Sequence, residues 1–287
     1  MQILYAPLFF DGGCAVALGT FDGVHIGHSK VIKSAKEFNL PTVVVTTLSS
    51  PHNSKRILSR TLCQNEFKSL GVESVLYLNF GDIKNLSPTE YLDFLRDKLN
   101  AICFCCGYNF KFGKNASGDK NTVIEYADKN GLKCCVTDNV KSASSTNIRD
   151  LLARGEISKA NEMLGHNYCF DFKVVSGDKR GRTWNFPTIN QPFDNDFCIP
   201  RFGVYVSKTY IEGKEYKSVT NIGIRPTFEL ENAMSETYII GYSGNLYDKN
   251  IKVELLHFIR DEIKFNSEEQ VKAQIKKDTE FAINYKE

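Results

Sequence analysis

The densest run of reactive residues is Gly19-Thr20-Phe21-Asp22-Gly23-Val24-His25-Ile26-Gly27-His28. An apolar strand ends at Gly19, a tight turn follows, and two histidines flank Gly27 where a helix begins. A helix N-terminus turns free N–H groups and the positive end of its dipole toward an anion. Gly27 lets a phosphate approach the backbone, and His25 and His28 can each donate to phosphate oxygens. In nucleotidyl transfer such a pair stabilises charge growing on the α-phosphate and on departing pyrophosphate. The competing reading is two capping or core histidines on an ordinary strand–helix turn. Two other clusters are open in the same way. Ser144-Ser145-Thr146-Asn147-Ile148-Arg149 puts hydroxyls ahead of a helix, which alone is an N-cap. Gly177-Asp178-Lys179-Arg180-Gly181-Arg182 suits either a phosphate-facing turn or a solvated hairpin loop.

The elements that must position these residues fall into two textures. Through about residue 165, short apolar runs alternate with helical stretches: 14–19, 41–48, 71–80, 100–106 and 132–136 read as strands. A helix follows His25, and Ser87-Pro88-Thr89-Glu90 marks another helix start. That alternation predicts a parallel sheet with crossover helices, an α/β domain. From Tyr168 to Leu256 the pattern is strand-like, with turns marked by Gly, Asn or Asp. Residues 169–176, 203–211, 216–222, 236–241 and 251–259 read as strands, and Ser267 opens a terminal helix. Five or six antiparallel strands with a closing helix predict a small all-β barrel. The boundary is placed near Asn167, giving domains 1–167 and 168–287.

At 287 residues, the chain is long enough for two domains. With 42% apolar and 24% charged residues, it has material for full cores. A formal net charge of +2 argues against a dedicated nucleic-acid or anionic-membrane binder. No signal-peptide pattern opens the chain, and no segment approaches the ~18 uninterrupted apolar residues of a membrane span. Nine cysteines, several in apolar strands and none with a histidine at ligand spacing, read as buried thiols of a cytoplasmic protein. Nothing in the sequence sets an oligomeric state.

Alone, HxGH is shared by several nucleotidyltransferases and one class of aminoacyl-tRNA synthetases. The chain has no KMSKS-like loop and no excess of positive charge to support the latter. The longer FDGVHxGH string resembles the FAD synthetase module of bacterial bifunctional riboflavin kinase/FAD synthetases. Residues 107–113 (GYNFKFG), 144–149 (SSTNIR) and the helical stretch 150–165 follow in family order. So do 186–190 (FPTIN), 221–228 (NIGIRPTF) and Glu236-Thr237-Tyr238 in the second half. The resemblance implies a Rossmann-like HxGH nucleotidyltransferase domain followed by a riboflavin kinase barrel. It implies phosphorylation of riboflavin to FMN, then adenylylation of FMN to FAD, both with ATP and Mg²⁺.

By the same resemblance His25, His28 and Arg149 are catalytic in the first half, with Gly19, Phe21, Asp22, Gly23, Gly27, Ser145 and Thr146 binding nucleotide. Asn109 and Phe110 contact flavin. In the second half Gly177, Lys179, Gly181 and Arg182 form a nucleotide-binding turn, and Arg225, Thr227 and Phe228 a flavin-binding flap. Thr188 and Asn190 supply the hard, neutral oxygens that suit Mg²⁺ when phosphates carry the charge. Glu236 is the base for a ribityl hydroxyl. Three segments depart from the family pattern. Residues 49–53 read Ser-Ser-Pro-His-Asn around His52 where an acidic-Pro-His-Pro run is usual, Trp184-Asn185 replaces an aliphatic-Gly pair, and Asp248 stands where glycine is usual. Two alternatives follow from these departures and from the shared HxGH: a flavin-binding regulator with decayed motifs, or another HxGH nucleotidyltransferase.

Overall fold

Runs such as Cys14-Ala15-Val16-Ala17-Leu18 and Thr42-Val43-Val44-Val45 carry no polar alternation, so they can be stable only with both faces covered. They form the middle of a parallel sheet. The computed structural model describes residues 1–48, 54–140, 143–177, 186–224 and 233–286. The chain packs as two units, 1–54 with 63–144 and 55–62 with 145–287. In chain order the elements before residue 140 are β1 (Gln2–Leu4), β2 (Cys14–Leu18), α1 (Ile26–Lys36), β3 (Thr42–Thr47), α2 (Arg60–Ser69), β4 (Ser74–Leu78), α3 (Phe80–Ile83), α4 (Pro88–Leu99), β5 (Ala101–Gly107), β6 (Lys111–Phe112), β7 (Gly118–Asp119), α5 (Lys120–Asn130) and β8 (Lys133–Thr137).

The first unit's main sheet runs β1-β4-β3-β2-β5-β8, with every neighbouring pair parallel. Val31, Ile32 and Ala35 of α1 pack with Ala15, Ala17, Val44 and Cys105 on one face. Leu92, Leu95 and Leu99 of α4, with Val123 of α5, pack with Val16, Val45, Phe104 and Cys106 on the other. The cysteines are free, and burial pushes the Cys14 and Cys106 thiols up to about 12. From β2 the chain winds outward to β3 on one side and returns to β5 on the other. The carboxyl ends of β2 and β5 therefore flank the point where strand order reverses, the usual position of a crevice in such sheets. Helix α4 starts as its sequence indicates, with Ser87 as N-cap in a capping box with Glu90 and Pro88 in the first turn.

The second unit contains α6 (Ser145–Arg154), α7 (Ile157–Leu164), β9 (Tyr168–Phe170), β10 (Thr188–Pro192), β11 (Gly203–Ile211), β12 (Lys214–Ile224), β13 (Ala233–Ile239), β14 (Lys252–Arg260) and α8 (Glu268–Asn284). Its antiparallel sheet has the order β10-β13-β12-β11-β14-β9. The strand expected over 169–176 stops at Phe170. Beyond it, the Val174 N–H donates to Lys249 and the Val175 N–H to Asn190. This segment serves two partners and bridges β10 toward the other edge of the curled sheet instead of extending one ladder. Strand β10, preceded by Pro187 and ending in Pro192, lies at a sheet edge, where proline is tolerated. Asp248 takes a φ of +63°, the backbone region that makes glycine usual there and that Asp adopts at modest cost.

One face of the curled sheet is lined by hydroxyls. Thr209 Oγ1 donates to Ser218, and Ser218, Ser207, Thr220 and Thr237 continue the chain at 2.8–2.9 Å, all fully buried. Helices α6 and α7 group with this unit. Asn161 of α7 donates to the Leu255 carbonyl and accepts from the Tyr168 N–H. Residues 55–62 also group here, with the Arg56 N–H donating to Asp196 and Ile57 and Leu58 buried. Ser267 caps α8, and the buried Asp278 receives Arg260 on both carboxylate oxygens.

Candidate active sites

In the first unit β2 ends at Leu18, and its chain enters a turn closed by the Val24 N–H donating to the Phe21 carbonyl. Phe21 and Val24 have φ of +51° and +40° around Gly23 at +79°. For a β-branched valine this is a strained conformation, of the kind that persists where surrounding contacts over-determine it. Those contacts are visible. The buried Thr46 on neighbouring β3 donates to the Thr20 carbonyl at 2.8 Å, and Ser29 Oγ donates to the Val24 carbonyl.

His25 is the N-cap of α1, and its Nδ1 accepts the His28 N–H at 3.3 Å. Capping and function coincide: with Nδ1 accepting, neutral His25 carries its proton on Nε2, the nitrogen that can donate to an anion. The His28 ring stacks on His25 with centroids 3.6 Å apart, and Phe21 lies tilted against it at 5.1 Å. His28 Nδ1 is inaccessible and has no hydrogen-bond partner among the described residues. Burial first, then the charge of neighbouring His25, hold the His28 imidazole well below the ordinary histidine range. The motif's glycines make room for its own rings. A Cβ on Gly27 would meet the His25 ring at 3.1 Å, and one on Gly19 would meet the Phe21 ring at 3.2 Å. Two stacked imidazoles at a helix N-terminus can donate to polyphosphate oxygens without first bearing two positive charges.

Gly107 ends β5, the strand beside β2, and Phe110 closes a turn back to its carbonyl. The exposed Asn109 and half-buried Phe110 stand on that turn, with Phe110 stacked on Phe112 at 5.1 Å. Ser145, Thr146 and Arg149 occupy the first two turns of α6 and group with the second unit. There Arg149 Nε donates to the Lys55 carbonyl at 2.7 Å.

In the second unit, register brings the expected kinase residues together. Glu236 on β13 lies directly across from Asn190 on β10 and from Asn221 on β12. Directly opposed residues share a face, so Thr188, Asn190, Glu236 and Asn221 line one surface of the sheet, opposite the hydroxyl-lined face. Phe186, ahead of β10, packs edge-on to Tyr238, the partner of Thr188. Asn190 is buried, and its Oδ1 has no hydrogen-bond partner among the described residues. Gly177 lies against it closely enough that a Cβ there would come within 2.5 Å of the amide nitrogen. A desolvated, uncompensated amide oxygen beside a carboxylate fits a hard cation.

Lys179, Gly181, Arg182, Arg225, Thr227 and Phe228, with His52 and Trp184-Asn185, lie outside the described residues. Two supporting residues escaped the sequence reading. Thr46 looked like one β-branched strand former among several. Asn221 stood out only as the first residue of the 221–228 segment, and register is what sets it beside Glu236; its amide donates to Glu262 at 3.4 Å.

The riboflavin kinase family matches residues 164–286, and the FAD synthetase family matches residues 10–149. A Listeria monocytogenes protein named bifunctional riboflavin kinase/FMN adenylyltransferase is 34% identical over 92% of this chain and 89% of its own length. The Bacillus subtilis protein of the same name is 35% identical over 94% and 92%. A solved structure from Streptococcus pneumoniae, titled a macrolide-efflux protein, matches with a TM-score of 0.89 at 27% identity, covering 99% of each chain. Among the described residues no helix is long and apolar enough to cross a membrane. With both halves matched in order and relatives aligned over nine-tenths of the chain, the protein belongs to the bifunctional riboflavin kinase/FMN adenylyltransferase family.

Proposed function

We infer that the chain carries out two consecutive reactions on flavins. The second unit transfers the γ-phosphoryl group of ATP to riboflavin, giving FMN and ADP. The first joins FMN to the AMP moiety of ATP, giving FAD and pyrophosphate. The observation that carries this reading is that each matched half holds its own constellation: the stacked histidines at the carboxyl end of β2, and the Asn190–Glu236 pair across β10 and β13.

For the kinase, Glu236 accepts the proton of the ribityl hydroxyl as that oxygen attacks phosphorus. Asn190 and Thr188 would hold Mg²⁺, which when bound neutralises the ATP phosphates. For adenylylation, the FMN phosphate attacks the α-phosphorus and no protein nucleophile is required. His25 and His28 donate to oxygens whose charge grows in the transition state, and Arg149 neutralises phosphate charge. Phe110 and Asn109 face the flavin. The free thiols support a reducing compartment, and the cytoplasm is the proposed location.

Incubation of the purified protein with riboflavin, ATP and Mg²⁺, followed by chromatography of the flavins, tests the reading directly. Formation of FMN and then FAD is expected; riboflavin recovered unchanged overturns it.

A further inference from the structure

The three rings of the first site are in series, His25 stacked on His28 at 3.6 Å and Phe21 set against the other side of the pair, tilted by 52° to His28 at 5.1 Å. Phe21 is the least conventional member. Its backbone is left-handed, its ring is folded back over Gly19, and it is 1% exposed. Phe67 of α2 abuts it edge-on at 5.8 Å, so the ring is held from behind by apolar surface. A ring so constrained cannot swing away to let His28 turn. The His28 Nδ1 beside it is inaccessible and makes no hydrogen bond among the described residues. That leaves Nε2 as the nitrogen through which His28 can reach a ligand.

We propose that Phe21 is a positioning residue for adenylyl transfer: its ring clamps His28 against His25 and shuts water away from Nδ1, so that His28 meets the polyphosphate in one orientation, through Nε2. Its contribution rests on the adenylyl-transfer reading for its consequence in turnover, but not for its physical basis. Burial is the first cause of the low His28 basicity, and His25 is the titratable group among the described residues that acts on His28 by charge. The flank contributed by α2 is the uncharged Phe67. Thinning the apolar wall should therefore move His28 back toward the ordinary histidine value of about 6.5.

The test is Phe21→Leu in the full chain, which keeps an apolar side chain but removes the plate. Expected is an upward move of the acid limb of FMN adenylylation by about one pH unit, hence about a tenfold loss of turnover on that limb. Riboflavin phosphorylation, whose residues lie in the other unit, should change little. NMR titration of the His28 ring, without substrates, should show the same upward move. If Phe21→Leu fails to fold, Gly19→Ala replaces it, because a Cβ there crowds the Phe21 ring at 3.2 Å and must displace it; a smaller shift of the same sign is expected. An acid limb and a His28 titration that both match the wild type, in whichever variant folds, would overturn the proposal. Wild-type protein that makes no FAD would instead overturn the functional reading, leaving the His28 titration to decide the clamp.

Discussion

Glu236 sits between two amide side chains, Asn190 on β10 and Asn221 on β12, on a face that also bears Thr188. Glu236→Gln keeps the shape and removes the proton acceptor. It should lower riboflavin phosphorylation by roughly 10²–10⁴-fold while leaving ATP binding and adenylylation of supplied FMN nearly unchanged. Separate assays with riboflavin and with FMN check this; near-normal phosphorylation would make Glu236 a structural carboxylate. In the other unit, His28 ties stability to pH. Its folded-state value is depressed, so between that value and about 6.5 the unfolded chain binds more protons than the folded one. The contribution is complete above about pH 6.5 and drains as pH falls toward the folded value. Thermal unfolding across that window should show His28→Gln losing less stability on acidification than wild type. Parallel curves would mean that the His28 imidazole is not held neutral.

Among the elements, α8 is anchored by the buried Asp278 as well as by Ala282 in the apolar cluster with Val204 and Val206. Asp278, 3% exposed, takes three hydrogen bonds from Arg260 at 2.7–3.2 Å and another from Gln274. Asp278→Ala leaves the largely buried Arg260 guanidinium without its carboxylate, and breaking such a pair costs roughly 3 kcal/mol. Urea unfolding should register that loss, whereas a loss below about 1 kcal/mol would place the pair with ordinary surface bridges. Helix α8 was legible because its start signal is local: Ser267 with Glu268 and Glu269 in the first turn. The same holds for Ser87-Pro88 at α4 and for the unbroken apolar runs of β2 and β3. Strand β10 was not legible, because its prolines argue against a strand and only the edge position excuses them. The foreshortened β9 was not legible either, since 169–176 (CFDFKVVS) keeps a strand-like pattern past Phe170 and what ends the ladder is a change of partner at Val174 and Val175. At the first site the histidines and glycines stood out. The local reason for Gly19 and Gly27, which is room for Phe21 and His25, required the fold.

For the whole molecule, 168–287 remains the proposed autonomous kinase, expected to make FMN but no FAD. A fragment beginning at Ser145 should melt at a higher temperature. It keeps the two Asn161 hydrogen bonds and the buried Ile157, Ala160 and Leu164 of α7. Equal melting temperatures would show those helices to be passengers. The stacked histidines lie in one packing unit and the Asn190–Glu236 pair in the other. Damage to either therefore leaves its counterpart equipped, and FMN is a small product able to travel through solution. Two full-length proteins, one His28→Ala and one Glu236→Gln, should each release little FAD from riboflavin alone. Mixed in one vessel, they should complement each other, with FAD rising after a lag that shortens as total protein increases. A mixture as inert as its parts would mean that the intermediate is never handed over through bulk water.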